Sequence, residues 1–273
     1  MKKIMLFLAV AGIMAACNND NEVLNEPQYI TEFKAVFGGA DSRIAAEASD
    51  DGLKFTWDDE DALYVATPDL AEVYVYTYNE DTGKFELENG EGMTASTQYI
   101  AFRDLGPGLK GELESENDSY DPDAIDIPLI SNEFTADADG TIAEMHHIVG
   151  MVEVPVELAA GSLKEKLGGV GIFVDNGKVV GPFSAKPEEP YFVDRIQDGN
   201  DYANSITWRE ATLNTATPVS YFIPMLPGTY VNPKLYYYDE NGDPATDEVQ
   251  LTGTLTIERG KVTQLPVQEV TLN

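Results

Sequence analysis

The residue with the most distinctive chemistry is Cys17, the only thiol in 273 residues. A lone cysteine has no partner for a disulfide within the chain, and its place near the N-terminus suits acylation. Histidine is almost as scarce, the pair His146 and His147 being the whole supply. Adjacent residues of a strand point to opposite faces, so these two cannot grip one metal ion together, and a packed or hydrogen-bonded role is expected. Carboxylates are abundant, with 48 Asp and Glu against 17 Lys and Arg and a net charge of -31. Glycoside hydrolysis needs only two carboxylates at a suitable separation, but no pair stands out among so many. The sequence has no Gly-x-Ser-x-Gly elbow, His-Glu-x-x-His pair or phosphate-cradling loop. The reading is of a protein that is not an enzyme and holds no cofactor and no metal.

Three further groupings have a chemical and a bland reading. Thr135, Asp137 and Asp139 with Gly140 echo the first half of a calcium loop. Such a loop wants a bidentate Glu at its twelfth position, which here is His146, so a hairpin turn at Asp139-Gly140 is expected. Glu112, Glu114, Glu116, Asp118, Asp121 and Asp123 follow one another with no intervening base. This run repels itself and reads as a solvated loop, with weak divalent-cation binding as the alternative. Tyr74, Tyr76 and Tyr78 share one strand face, either to stack on sugars or to pack a core.

The elements that carry these residues begin with Met1-Lys2-Lys3 and an apolar run from Ile4 to Ala16. Charge followed by a short greasy stretch is the pattern of a secretory signal, and the run falls short of the roughly 20 residues needed to cross a bilayer. Met14-Ala15-Ala16-Cys17 resembles the lipobox ahead of which bacterial lipoprotein signal peptidase cuts. Residues 1–16 are therefore expected to be removed and Cys17 to be lipidated. Two or three acyl chains, at about 0.8 kcal/mol per buried methylene, anchor firmly. Residues 17–27 lack apolar periodicity and read as a tether. The acidic balance excludes nucleic acid as a partner, because phosphate recognition needs a basic footprint.

Beyond the tether, period-two alternation dominates, as in Tyr29–Phe37, Glu72–Tyr78 and Thr97–Phe102, and such short alternating runs predict strands. Thr82-Gly83, Asn89-Gly90, Asp139-Gly140, Asn176-Gly177 and Asn241-Gly242 supply tight-turn chemistry between them. The best helical candidate is the short stretch Ser162–Leu167. The prediction is an all-β fold of two tandem β-sandwich domains, residues 28–158 and 159–273, with a boundary after the strand Ile148–Val156. Pro266 cannot donate to a ladder, so an edge position or a break is expected within Val262–Leu272.

One constellation is more specific. Ser42-Arg43, then Leu53–Val65 around Trp57, then Tyr99-Ile100-Ala101-Phe102, then His147–Val154, then Tyr221-Phe222-Ile223-Pro224 together resemble the fimbrillin family, the type V pilins of Bacteroidetes. Two positions depart from that pattern: Glu60-Asp61 stands where Gly-Asp is usual, and Arg103 stands where proline often follows. The resemblance implies transthyretin-like sandwiches and delivery to the outer membrane and cell surface as a lipoprotein held through Cys17. It also implies maturation by an arginine-specific protease, for which the matching positions are Arg43 and Ile44. Cutting there would free the strand around Phe33–Phe37 and leave an open edge, a template for another strand. Other pilin subunits would then be partners by donor-strand exchange, Val262–Leu272 being apolar enough to donate, and contacts that do not close give a filament. The alternative is a glycan-binding surface lipoprotein that uses Tyr74, Tyr76 or Trp208 as a stacking platform.

Overall fold

The computed structural model describes residues 27–37, 57–59, 61–117, 127–175, 177–196 and 204–272. Cys17, Arg43 and Ile44, the signal segment, most of the tether, and Asp118, Asp121 and Asp123 lie outside the described residues. Every regular element among the described residues is a strand.

The first set comprises β1 (Tyr29–Ile30), β2 (Glu32–Phe37), β3 (Ala62–Ala66), β4 (Val73–Asn79), β5 (Lys84–Leu87) and β6 (Met93–Thr94). It continues through β7 (Gln98–Arg103), β8 (Lys110–Leu113), β9 (Glu116–Asn117), β10 (Leu129–Ser131), β11 (Phe134–Thr135) and β12 (Ile142–His147). The three runs of alternation predicted as strands fall on β1 with β2, on β4 and on β7. The β4–β5 hairpin closes at Gly83, whose amide donates to the Asn79 carbonyl at 2.8 Å with φ at 66°. That left-handed conformation costs a glycine nothing sterically.

Pairing runs β10-β12-β2-β5-β4-β3-β7 and returns from β7 to β10, so seven strands close into a ring. Closure removes the free edges that an open sheet would present. Inside the ring lies a cluster that includes Phe33, Leu63, Val65, Tyr76, Phe85, Met93, Tyr99 and Met145. Tyr76 is wholly buried and Tyr74 and Tyr78 are half-buried against Tyr99 and Phe85. The tyrosine stripe is therefore core packing.

The second set is β13 (Gly150–Leu158), β14 (Lys166–Phe173), β15 (Gly181–Ala185), β16 (Phe192–Arg195), β17 (Asn204–Thr212) and β18 (Val219–Met225). It ends with β19 (Gly228–Val231), β20 (Lys234–Tyr238), β21 (Val249–Gln250), β22 (Thr254–Ile257), β23 (Val262–Gln264) and β24 (Gln268–Val270). One sheet places β13 between β18 and the pair β23 and β24; another runs β21-β20-β14-β17-β9. Side chains of both sheets, among them Val152, Val154, Tyr221, Val170, Ile172 and Tyr237, share one buried cluster. Thr207 Oγ1 donates across it to the Phe222 carbonyl at 3.3 Å. This is a two-layer all-β sandwich.

Two expectations are corrected, and one about Pro266 is met. The strand after His147 pairs with β18, β23 and β24, so the change from one set to the other comes at Ile148–Val149, before that strand instead of after it. The sets also interlock, since β8 pairs with β15 and β9 with β17. Ser162–Leu167 forms no helix: the amides of Leu163 and Lys164 both donate to the Leu272 carbonyl, at 2.8 and 3.1 Å, and β14 starts at Lys166. The last strands pull this segment out of helical register. Pro266 falls in the break between β23 and β24, where its missing N–H harms no ladder.

The change of set depends on Gly150. A methyl group there would lie 2.3 Å from the Glu258 carbonyl oxygen and 2.6 Å from Ile257, and backbone oxygen has nowhere to go. Gly150→Ala is expected to lower unfolding stability by about 2 kcal/mol, measured by urea denaturation. An unchanged midpoint would mean that the β22–β23 turn can move aside.

Candidate functional site

The feature that sequence and fold single out together is the seat of β1 and β2. The outward and inward residues of β2 alternate as written: Phe33 and Ala35 are buried, while Glu32, Lys34 and Val36 are exposed. Its backbone is claimed on both sides. Residues 34–37 run parallel to residues 142–145 of β12, and Glu32 and Phe33 pair antiparallel with Glu86 and Phe85 of β5. Upstream, β1 pairs with β6, Ala95 N donates to Gln28 O, and Leu87 N donates to Thr31 O, both at 2.8 Å.

The inward side chains meet aromatic partners. The Phe33 ring is edge-on to Tyr76 at 5.0 Å and stacked near Phe85 at 5.6 Å and Phe134 at 6.3 Å. Phe37 lies between Trp57 at 4.7 Å and His147 at 5.6 Å, both nearly parallel to it. Trp57 and Phe85 touch edge to face at 4.9 Å, so the rings form a continuous chain of contacts from Phe33 to Phe37, the two residues that flank Ala35 on the inward face. Each fully buried ring adds about 1.5–3 kcal/mol, and each aromatic pair about 0.5–1.5 kcal/mol more.

Two polar side chains fasten the backbone of this segment from the core. Trp57 Nε1 donates to the Ala35 carbonyl at 3.0 Å. The Tyr76 hydroxyl donates to the Ile30 carbonyl at 2.6 Å and accepts from Met93 N at 3.0 Å; burial pushes its pKa up to about 12, so it is a neutral donor at any physiological pH. Tyr76→Phe leaves a buried carbonyl and amide without this partner, and a loss of about 1–2 kcal/mol is expected, with faster amide exchange at Met93. Equal exchange at that amide would show the hydroxyl to be dispensable.

Other predicted residues fall into place around the seat. His146 and His147 do face opposite ways, at the end of β12. The His147 side chain lies buried against Phe37, and His146 stacks on Tyr191 at 4.4 Å. Arg259 covers Tyr191 at 4.6 Å, donates from Nη1 to the His147 carbonyl at 3.0 Å, and pairs with Glu189 at 2.7 Å. This cluster ties the ring to the second set of strands, and nothing in the periodicity around Tyr191 signalled it. Arg103 and Asp61, the positions at or beside the two departures from the fimbrillin pattern, form a partly buried ion pair at 2.7 Å. At Asp137–Thr141 there is a turn whose carboxylate accepts from Asp139 N at 2.9 Å. The turn faces residues 28–34 across an open groove of about 590 Å³.

No family model matches the sequence, and no curated protein does either. Solved structures do match. A protein of Bacteroides ovatus described as a candidate cell adhesion protein is similar over 88% of this chain and 93% of its own, with 11% identity and a TM-score of 0.58. A candidate cell adhesion protein of Bacteroides uniformis matches 88% of this chain and 92% of its own, with 14% identity and a TM-score of 0.51. A fimbrial protein of Bacteroides ovatus covers 90% of this chain and 50% of its own, at 13% identity and a TM-score of 0.43. The first two establish a shared all-β fold.

Proposed function

We propose that the chain is a fimbrillin-like, non-catalytic adhesion protein of the cell surface, a structural or minor component of a pilus. It is anchored through lipid on Cys17 and assembles by strand exchange after cleavage between Arg43 and Ile44. The observation that carries this reading is the position of β1 and β2: they are the first strands among the described residues, yet β2 is the stave between β5 and β12 that closes the ring. Arg43 follows Phe37 by six residues, so a cut there would separate the stave covalently. Loss of β2 would free one edge each of β5 and β12 and bare the ring arc around Phe85 and Trp57. Strand addition supplies both needs, with backbone bonds along the ladder and side chains for the pockets. The fold shared with two proteins described as cell adhesion candidates supports a surface role.

Protein recovered from the cell surface is expected to begin at Ile44 by N-terminal sequencing and to run as high-mass, heat-resistant ladders that Arg43→Ala abolishes. Ladders that persist in the variant, or an acyl-blocked Cys17 on every molecule, would refute the assembly step.

A second reading rests on Trp208. Its neighbour Thr207 points into the sandwich, so Trp208 faces outward by alternation, half-buried and 4.9 Å from Tyr238. That pair fits a sugar-stacking surface, and retention of the monomer by polysaccharide columns would favour it.

A further inference from the structure

Which strand fits the seat can be derived from the strand that already fills it, given the exchange reading above. At the inward positions of β2 stand Phe33, Ala35 and Phe37, a large ring, a methyl and a large ring. The middle position is small for a reason visible in the packing. Phe33 contacts Phe85, Phe85 contacts Trp57 and Trp57 contacts Phe37, so two rings link the residues on either side of Ala35, which is buried in the same cluster with Trp57 bonded to its carbonyl. A close-packed interior leaves no slack for added methylenes at such a point. The ends are the converse, since Phe33 and Phe37 fill the spaces beside Tyr76, Phe134 and His147.

Val262–Leu272 does not offer this pattern. The stretch Val-Thr-Gln-Leu-Pro-Val-Gln-Glu-Val-Thr-Leu holds no aromatic residue. Two pairs of its alternate residues are apolar. Leu265 and Val267 are followed by Glu269, and a carboxylate in the Phe37 position would be buried against Trp57 and His147 without a partner. Val270 and Leu272 would bring Gln268 into the Phe33 position, an unpartnered amide among Tyr76, Phe85 and Phe134. Pro266 would interrupt the ladder to β12 in a register that places it at position 34, whose amide donates to the Thr141 carbonyl, or at position 36, which faces the same way. The same stretch is also in use, with β23 and β24 parallel to β13 and with Val270 and Leu272 at 3% and 1% exposure in the second core.

We propose that the seat is keyed to an extended segment of the form aromatic, any residue, small, any residue, aromatic, running parallel to β12 and supplied by a different protein instead of by residues 262–272 of a second copy.

The test uses the full chain with a site-specific protease sequence introduced between Phe37 and Trp57. After cutting, fluorescent peptides are added and exchange into the seat is followed by anisotropy. A peptide of residues 28–37 is expected to enter, its Ala35→Leu form to bind roughly ten- to a hundredfold more weakly, and a peptide of residues 262–272 at least about a hundredfold more weakly. Equal entry by the 262–272 peptide overturns the proposal and leaves strand exchange standing. Failure of even the 28–37 peptide to enter sinks strand exchange at this seat and the proposal with it. In the uncut chain, replacing Phe33, Ala35 and Phe37 by Leu, Val and Glu is expected to lower the melting temperature well below that of the parent. An unchanged melting temperature would also overturn the keying.

Discussion

Phe33→Ala is expected to lower the stability of the folded chain by about 3–5 kcal/mol, the usual cost of emptying a buried aromatic site. The residue is 2% exposed and touches three rings, and the surrounding ring of strands is closed, so its walls cannot collapse inward to fill the space. The natural control is Val36, on the same strand but 45% exposed, where substitution by Ala is expected to change stability by less than about 0.5 kcal/mol. Urea melts of the two variants give the comparison. The effect has a location as well as a size: limited proteolysis is expected to cut ahead of Trp57 in Phe33→Ala long before it cuts within β13 or β18. Comparable losses from both variants would mean that β2 is not held by its inward face, and the account of the seat would fail.

The second large effect is on pH. Burial pushes the His147 imidazole down to about 3, with Arg259 and His146 adding repulsion, so the folded protein keeps it neutral. An unfolded chain protonates the same ring below its ordinary value of about 6.5. As pH falls below 6.5 the unfolded state therefore takes up a proton that the folded state refuses, and stability drops by about 1.4 kcal/mol per pH unit. The loss is absent above pH 7, reaches about 2 kcal/mol at pH 5, and continues towards the folded value near 3. Between pH 7 and 5 most carboxylates stay ionised, so the slope there comes from the histidines, chiefly His147, with a contribution from His146, whose pKa burial also lowers. His147→Phe keeps a ring against Phe37 and removes the proton, and its stability is expected to fall much less steeply over that window, the remaining slope belonging to His146. A slope unchanged by the substitution would show that another group carries the titration. Because His147 lies on Phe37, acid is also expected to loosen β2 before the second set of strands.

Much of this fold was legible in the residues themselves. Tyr29–Phe37, Glu72–Tyr78 and Thr97–Phe102 announce strands because a pleated backbone sends alternate side chains to opposite faces, and the Gly83 turn announces itself because few residues accept its φ. The same alternation says which face is buried and not which strand lies alongside. That is why β13 was assigned to the first set when it pairs with the second, and why the crossing of β8 and β9 into the other sheets was missed. Parallel pairing of β2 with β12 joins residues more than a hundred positions apart, beyond any local signal. In the seat, Phe33 and Phe37 could be recognised as inward from spacing alone. Trp57 could not be assigned its bond to the Ala35 carbonyl, and Tyr191 could not be placed between His146 and Arg259, since both depend on where loops return. Cys17 and Arg43 rest on motif and resemblance alone.

The position of β2 between two neighbours has a mechanical corollary. A pull along its axis loads the bonds to β5 and to β12 in shear, so they share the tension instead of parting one after another. Peeling sideways from the Tyr29 end meets its bonds in turn, first the short β1–β6 pairing and the single bonds to the Gln28, Ile30 and Thr31 carbonyls. A link built on this stave would be stiff under stretching flow and still removable by a catalyst that starts at its end.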